Sequence, residues 1–202
     1  MLPSVHRLYH REGAGRPKRV RWALEEAGAP YEVVVLTKEE GASDDHTARQ
    51  PLGRVPALES EAGSLFESAA ICLQIADLYP EAGLIPPVTT QARGEVYQWS
   101  FFAMSELEVA LLRVYIARHA KTPDREAVAR AEARLRKAAD AVAAALEAHD
   151  YLVDDEFTIA DVVMGGVLES ARELDLMPDS PGLHAYLARL DAREAKQRAY
   201  TE

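Results

Sequence analysis

The chain changes hydrophobic period once, near residue 80, and that change constrains its fold more than any other feature. Before it, short β-prone runs are separated by runs spaced like helices. After it, nothing alternates with period two. A chain of 202 residues patterned in this way fits an α/β unit followed by an all-helical one.

Val5–Tyr9 and Tyr31–Leu36 read as short strands, and Val33, Val34 and Val35 in the second suit a pleated surface. Between them Val20, Ala23, Leu24 and Ala27 fall at helical spacing, with Pro17 in the first turn and Gly28 as a stop. That β-α-β unit implies a parallel pair with a crossover helix. Lys38 to Gln50 reads as an irregular polar stretch. Val55–Glu59 and Ser64–Glu67 read as two strands turning around Glu61–Gly63, followed by a helix with Ile71, Ile75 and Leu78 on its apolar face. This order is that of a thioredoxin-like domain, expected over residues 1–80.

Pro80 to Pro87 is rich in Pro and Gly and reads as part of a linker over 81–90, with an all-helical domain over 91–202. Long helical segments are expected to His119 and from Pro123 to His149, with Thr122 as N-cap of the second. In that second segment Val128, Ala131, Leu135, Ala138, Val142 and Ala145 form a bundle-like stripe. Thr158 and Asp161 form a capping-box variant, with Phe157 and Val162 at the positions of a hydrophobic staple.

Composition excludes several functions. The formal net charge of −10 argues against a general nucleic-acid binder. Cys72 is the only cysteine, so no internal disulfide or multi-cysteine metal site is expected. It stands at helical spacing with Ile75, Ala76 and Tyr79, which predicts a buried core residue. The histidines, His6, His10, His46, His119, His149 and His184, form no metal-binding motif, and no metal is expected. Charged residues interrupt every apolar stretch, so no membrane span is expected. The opening residues carry no apolar leader, and a reducing, cytoplasmic location is expected.

Two short motifs point to a ligand. Pro56 opens a strand although it cannot donate to the ladder. A cis peptide between Val55 and Pro56 would turn the Val55 backbone outward to pair with an extended peptide; a plain edge strand beginning on proline is the alternative. Ser68 stands where a strand gives way to a helix and reads as an N-cap. The helix start suits a carboxylate and Glu67 suits an ammonium group, so together they would recognise an α-amino acid head. The alternative is ordinary capping beside a solvated glutamate.

Leu8 to His10, Arg19 to Gly28, Pro30 to Glu32, Pro51 to Leu58, Glu67-Ser68 and Phe157 to Asp161 occur in one order at particular spacings. The series resembles the cytosolic glutathione S-transferase superfamily, particularly its bacterial members, over essentially the whole chain. The resemblance implies the glutathione transferase fold, in which a thioredoxin-like α/β domain precedes an all-α bundle, and usually a homodimer built on the first two long helices of the bundle. It implies that Val55 holds the cysteinyl backbone of glutathione, that Pro56 is the cis-proline, and that Glu67 and Ser68 hold the γ-glutamyl group. Arg54 is a candidate for the glycyl carboxylate.

The implied activity is conjugation of the glutathione thiolate to a small, electrophilic, partly apolar co-substrate, with no metal. The alternatives are a non-catalytic glutathione-fold binding or interaction protein, or a glutathione-dependent isomerase, lyase or peroxidase. The aromatic-rich run from Tyr97 to Tyr115 offers Phe102, and Arg113 further along the same helix, as candidates for the co-substrate pocket. The sequence departs from the family at the thiol activator, since Val5 to Leu36 contains no Ser, Thr or Cys. Serine-type members would put their serine near Ala14. The candidates that remain are Tyr9, His10, Arg16 and the backbone N–H groups that open the first helix.

Overall fold

The structure, a computed structural model, describes residues 5–201. The expectation of no leader rests partly on residues 1–4, which lie outside them. The chain divides into two compact units, residues 1–85 together with 193–202, and residues 86–192.

In the first unit the order is β1 (His6–His10), α1 (Gly15–Glu26), β2 (Tyr31–Val35), α2 (Lys38–Gly41), α3 (Asp44–Arg49), β3 (Ala57–Ser60), β4 (Gly63–Phe66) and α4 (Ser68–Leu78). The strands form one mixed sheet in the order β2-β1-β3-β4. β1 and β2 are parallel, as the crossover α1 requires, with Leu8 opposite Val33. β3 runs antiparallel to β1 and β4, with Ala57 opposite both Tyr9 and Phe66. Leu8, Val20, Trp22, Leu24, Ile71, Cys72 and Ile75 are fully buried where α1 and α4 cover one face.

Lys38 to Gln50 is not irregular. It folds into α2 and α3, whose polar sequences carry no apolar period and are stabilised by local caps instead. Thr37 and Glu40 form a capping box on α2, and the Ser43 hydroxyl accepts from His46 N–H at 3.3 Å on α3. Ser68 is not the N-cap of α4. Glu67 holds that place with a left-handed φ of 69°, and Ser68 is the first helical residue.

The second unit comprises α5 (Gln91–Phe102), a π-helical segment Ala103–Leu107, α6 (Glu108–Arg118), α7 (Arg125–Ala145), α8 (Ile159–Glu173) and α9 (Pro181–Asp191). Thr122 does not cap α7. The Asp124 carboxylate does so, accepting from Glu126 N–H at 2.9 Å, which leaves Pro123 outside the helix. The buried Asp161 accepts from Thr158 N–H (2.8 Å), the Thr158 hydroxyl (3.1 Å), Leu152 N–H (3.1 Å) and the Tyr186 hydroxyl (2.7 Å). It ties the start of α8 to the loop before it and to α9.

The closing helix, α10 (Glu194–Tyr200), packs on α1 and belongs to the first unit. Arg193 grips Glu26 through two bonds of 2.6 and 2.8 Å, and Arg198 donates to Glu25 at 2.7 Å. Among the described residues no helix is long and apolar enough to cross a membrane, and no cluster of three metal-ligating side chains is present.

Candidate functional site

The register of the sheet brings the motifs together at one end. Ala57 pairs with Phe66, so continuing the antiparallel register places Pro56 opposite Glu67 and Val55 opposite Ser68. On the other side Ala57 pairs with Tyr9, so the same edge receives His10 and the loop that leads into α1. Side-chain chemistry links the two helices that start there, since Arg19 Nη1 on α1 donates to the Ser68 Oγ at 3.4 Å. Both Arg19 and Ser68 are buried.

The Val55–Pro56 peptide is cis, and Pro56 is buried while Val55 is half-buried. Among the described residues no backbone–backbone hydrogen bond engages Val55. Its N–H and C=O are therefore without a backbone partner at this end of the sheet.

The helix starts at this edge lack both a side-chain cap and a first-turn acid, whereas α6 and α10, also without a side-chain cap, carry Glu108 and Glu194 there. Thr37, Ser43, Thr90, Asp124 and Ser180 cap α2, α3, α5, α7 and α9 with side-chain oxygens. The helices α1 and α4, which begin at the site, have no side-chain cap and no acidic residue in their first turns. Their N–H groups and positive dipole ends are left to an anion. Ala14 occupies the N-cap position of α1. Arg54 is exposed beside Val55, and Arg16 lies in the first turn of α1 and is half-buried.

Tyr9 and His10 lie on opposite faces of β1. The Tyr9 hydroxyl donates to Glu59 Oε2 at 2.7 Å, with the Arg49 guanidinium 4.8 Å from its ring centre. Burial, then the bond to Glu59, raises this hydroxyl above its ordinary pKa. His10 lines, with Pro17, Lys18, Arg21 and Tyr200, a cavity of about 30 Å³, room for about one water. Cys72 is buried, and burial pushes its thiol up to about 12, which keeps it out of thiol chemistry.

In the second unit Phe102 ends α5 and packs edge-on against Trp99, with ring centres 5.6 Å apart. Arg113 is exposed on α6. At the helical rise the two lie about 16 Å apart along the axis, so only a long co-substrate would meet both.

Residues 4–77 match the family described as glutathione S-transferase, N-terminal domain, and residues 102–194 match glutathione S-transferase, C-terminal domain. Glutathione S-transferase 3 of Zea mays is 32% identical over 173 residues, covering 81% of this chain and 76% of that protein. The solved glutathione transferase of Methylococcus capsulatus superposes with a TM-score of 0.84 at 30% identity, covering 96% of this chain and 97% of that one. A glutathione S-transferase-I bound with lactoylglutathione superposes at 0.81 with 27% identity over 97% and 98%. With both domain families matched in order and the mixed sheet and helical unit in place, the chain belongs to the glutathione S-transferase superfamily.

Proposed function

We propose that the protein is a glutathione transferase that binds glutathione along this end of the sheet and joins its thiolate to an electrophilic, partly apolar co-substrate. The observation that carries the reading is the open Val55 backbone in register with the uncapped start of α4. The cysteinyl backbone pairs with Val55 as an added strand. The γ-glutamyl carboxylate takes the first N–H groups of α4 and the Ser68 hydroxyl, and the Glu67 carboxylate takes the ammonium group. Arg54 faces the glycyl carboxylate.

The sulfur then lies toward the start of α1. Among the described residues from 5 to 36 there is no serine or threonine, so thiolate stabilisation falls to the α1 N–H groups, with Arg16 adding positive charge. Tyr9 has no part in activation in this reading, since its proton is committed to Glu59 on the other face. His10 serves packing beneath α10. In the chemical step the thiolate forms a sulfur–carbon bond, the leaving group departs with its electron pair, and the thiol proton passes to solvent. Phe102 and Arg113 are proposed as co-substrate contacts on the family resemblance alone.

We further propose a homodimer in a reducing cytoplasm. Leu65 and Phe66 on β4, and Phe101 and Ile116 in the second unit, are apolar residues left exposed that a second copy would cover.

Retention on glutathione resin, calorimetric affinity and turnover of a generic aryl halide test the activity. Ala14 at the α1 cap favours one second reading, a glutathione-binding protein without catalysis. Binding with no turnover across aryl halide, enone and peroxide substrates would select it.

A further inference from the structure

We propose that His46 is a positioning residue for glutathione, acting through the peptide unit that joins Arg54 to Val55. The inference rests on the function proposed above and on three hydrogen bonds made by two buried side chains, His46 and Gln50. His46 is 1% exposed on α3, and its Nε2 lies 2.8 Å from the Arg54 carbonyl oxygen. A carbonyl oxygen only accepts, so Nε2 carries the proton and donates it. The other ring nitrogen, Nδ1, has no hydrogen-bond partner, as the bare nitrogen of this tautomer.

The same peptide segment is held from its other side. Gln50, 4% exposed at the end of α3, accepts from both Leu52 N–H and Arg54 N–H through Oε1 at 2.8 Å. Arg54 therefore has its N–H and its C=O tied to side chains of one helix end. The ring of His46 packs in turn against Tyr9, with centres 5.7 Å apart, and Glu59 holds Tyr9.

Planarity makes this clamp functional. The Arg54 C=O and the Val55 N–H belong to one rigid trans peptide and point in opposite directions. Fixing the oxygen toward His46 fixes the Val55 N–H away from α3, toward the space where an added strand pairs. No backbone–backbone hydrogen bond engages Val55 among the described residues, so its aim follows from how His46 and Gln50 hold Arg54. A ligand that pairs with a pre-oriented N–H avoids the cost of ordering it.

The test compares wild type, His46→Phe and His46→Gln. Phenylalanine keeps a flat ring against Tyr9 but cannot donate; glutamine restores a donor at a similar reach. For His46→Phe we expect the glutathione Kd and KM to rise about tenfold, with kcat at saturating glutathione and the pKa of the bound thiol unchanged. His46→Gln should recover most of the affinity. Wild-type affinity in His46→Phe would overturn the inference, as would equal losses in both variants or a thiol pKa that moves with the affinity. If wild type itself fails to bind glutathione, the functional reading beneath the inference falls instead, so the two failures are distinct.

Discussion

The Tyr9 hydroxyl donates to Glu59 at 2.7 Å across the β1–β3 pair, on the face of the sheet turned away from α1. A tyrosine near the end of the first strand is thereby joined to a packing network with Arg49 and His46, and in the reading proposed above it takes no part in thiol chemistry. Tyr9→Phe should cost about 1.5 kcal/mol of stability, a hydrogen bond to a charged group, and leave the thiol pKa unchanged. The bond to Tyr9, then Arg49, holds the Glu59 carboxyl below its ordinary value. That contribution is fully present above the unfolded pKa of about 4.3 and is lost as pH falls through the lower folded value. Denaturation of wild type and Tyr9→Phe should therefore converge in acid. A fall in the ultraviolet thiolate signal of the variant would return Tyr9 to the active site.

Cys72 gives the opposite pH limb. Its thiol is raised to about 12 by burial, so the folded state disfavours the thiolate. The resulting stability is complete below the unfolded pKa of about 8.5 and is lost as pH rises through the folded value. Cys72→Ala should flatten the alkaline decline in melting temperature. A disulfide reagent at pH 8 should label Cys72 only once denaturant has unfolded the protein, and rapid labelling of the native protein would contradict the burial.

Element order was legible in the sequence because strands and helices here differ in period, and the Thr158–Asp161 box because a cap has a local chemical signature. Other features had weaker signals. Thr37 and Glu40 stand at capping-box spacing, a cue for α2, but four residues cannot show a period. Ser68 looked like the cap because serine is favoured there; only the positive φ of Glu67 moves the helix start by one residue. His46 and Gln50 act on a loop through tertiary geometry, for which spacing carries no trace. The return of α10 to α1 likewise rests on ion pairs more than 160 residues apart in sequence.

Asp161 of the helical unit accepts four hydrogen bonds. Burial pushes its pKa up while Tyr186, Thr158 and Leu152 donate to it and pull the other way. Asp161→Ala would leave those buried donors without their acceptor and should destabilise by about 3 kcal/mol or more. Thermal melts and refolding yield measure it, and a loss below about 1 kcal/mol would reduce the residue to an ordinary cap.

Ala14→Ser tests where the sulfur sits. Serine at the N-cap of α1 should add about 1 kcal/mol of stability and put a hydroxyl donor beside the same N–H groups. If α1 carries thiol activation, the pKa of bound glutathione should fall and turnover at pH 6.5 should rise. A stabilised variant with an unchanged thiol pKa would place the sulfur elsewhere.

Glu67 should show stability and function pulling in opposite directions. It adopts φ 69° and ψ 108°, a conformation that L-residues seldom hold and that persists where the surroundings enforce it. Glu67→Gly removes the Cβ behind part of that strain and should raise stability by about 1 kcal/mol, yet it deletes the carboxylate assigned to the ligand ammonium. Glu67→Gln should leave the melt nearly unchanged and weaken glutathione by the loss of charge alone. Ser68→Ala should weaken binding about ten- to a hundredfold, the value of a hydrogen bond to a charged group. Its melt should fall only slightly, because Ser68 does not cap α4 and its hydroxyl accepts only a long 3.4 Å bond from Arg19. Calorimetry beside thermal melts separates the three. A Glu67→Gly variant that melts higher and still binds glutathione like wild type would show that the strained residue is a feature of the turn alone and withdraw the amino-acid head from this end of the sheet.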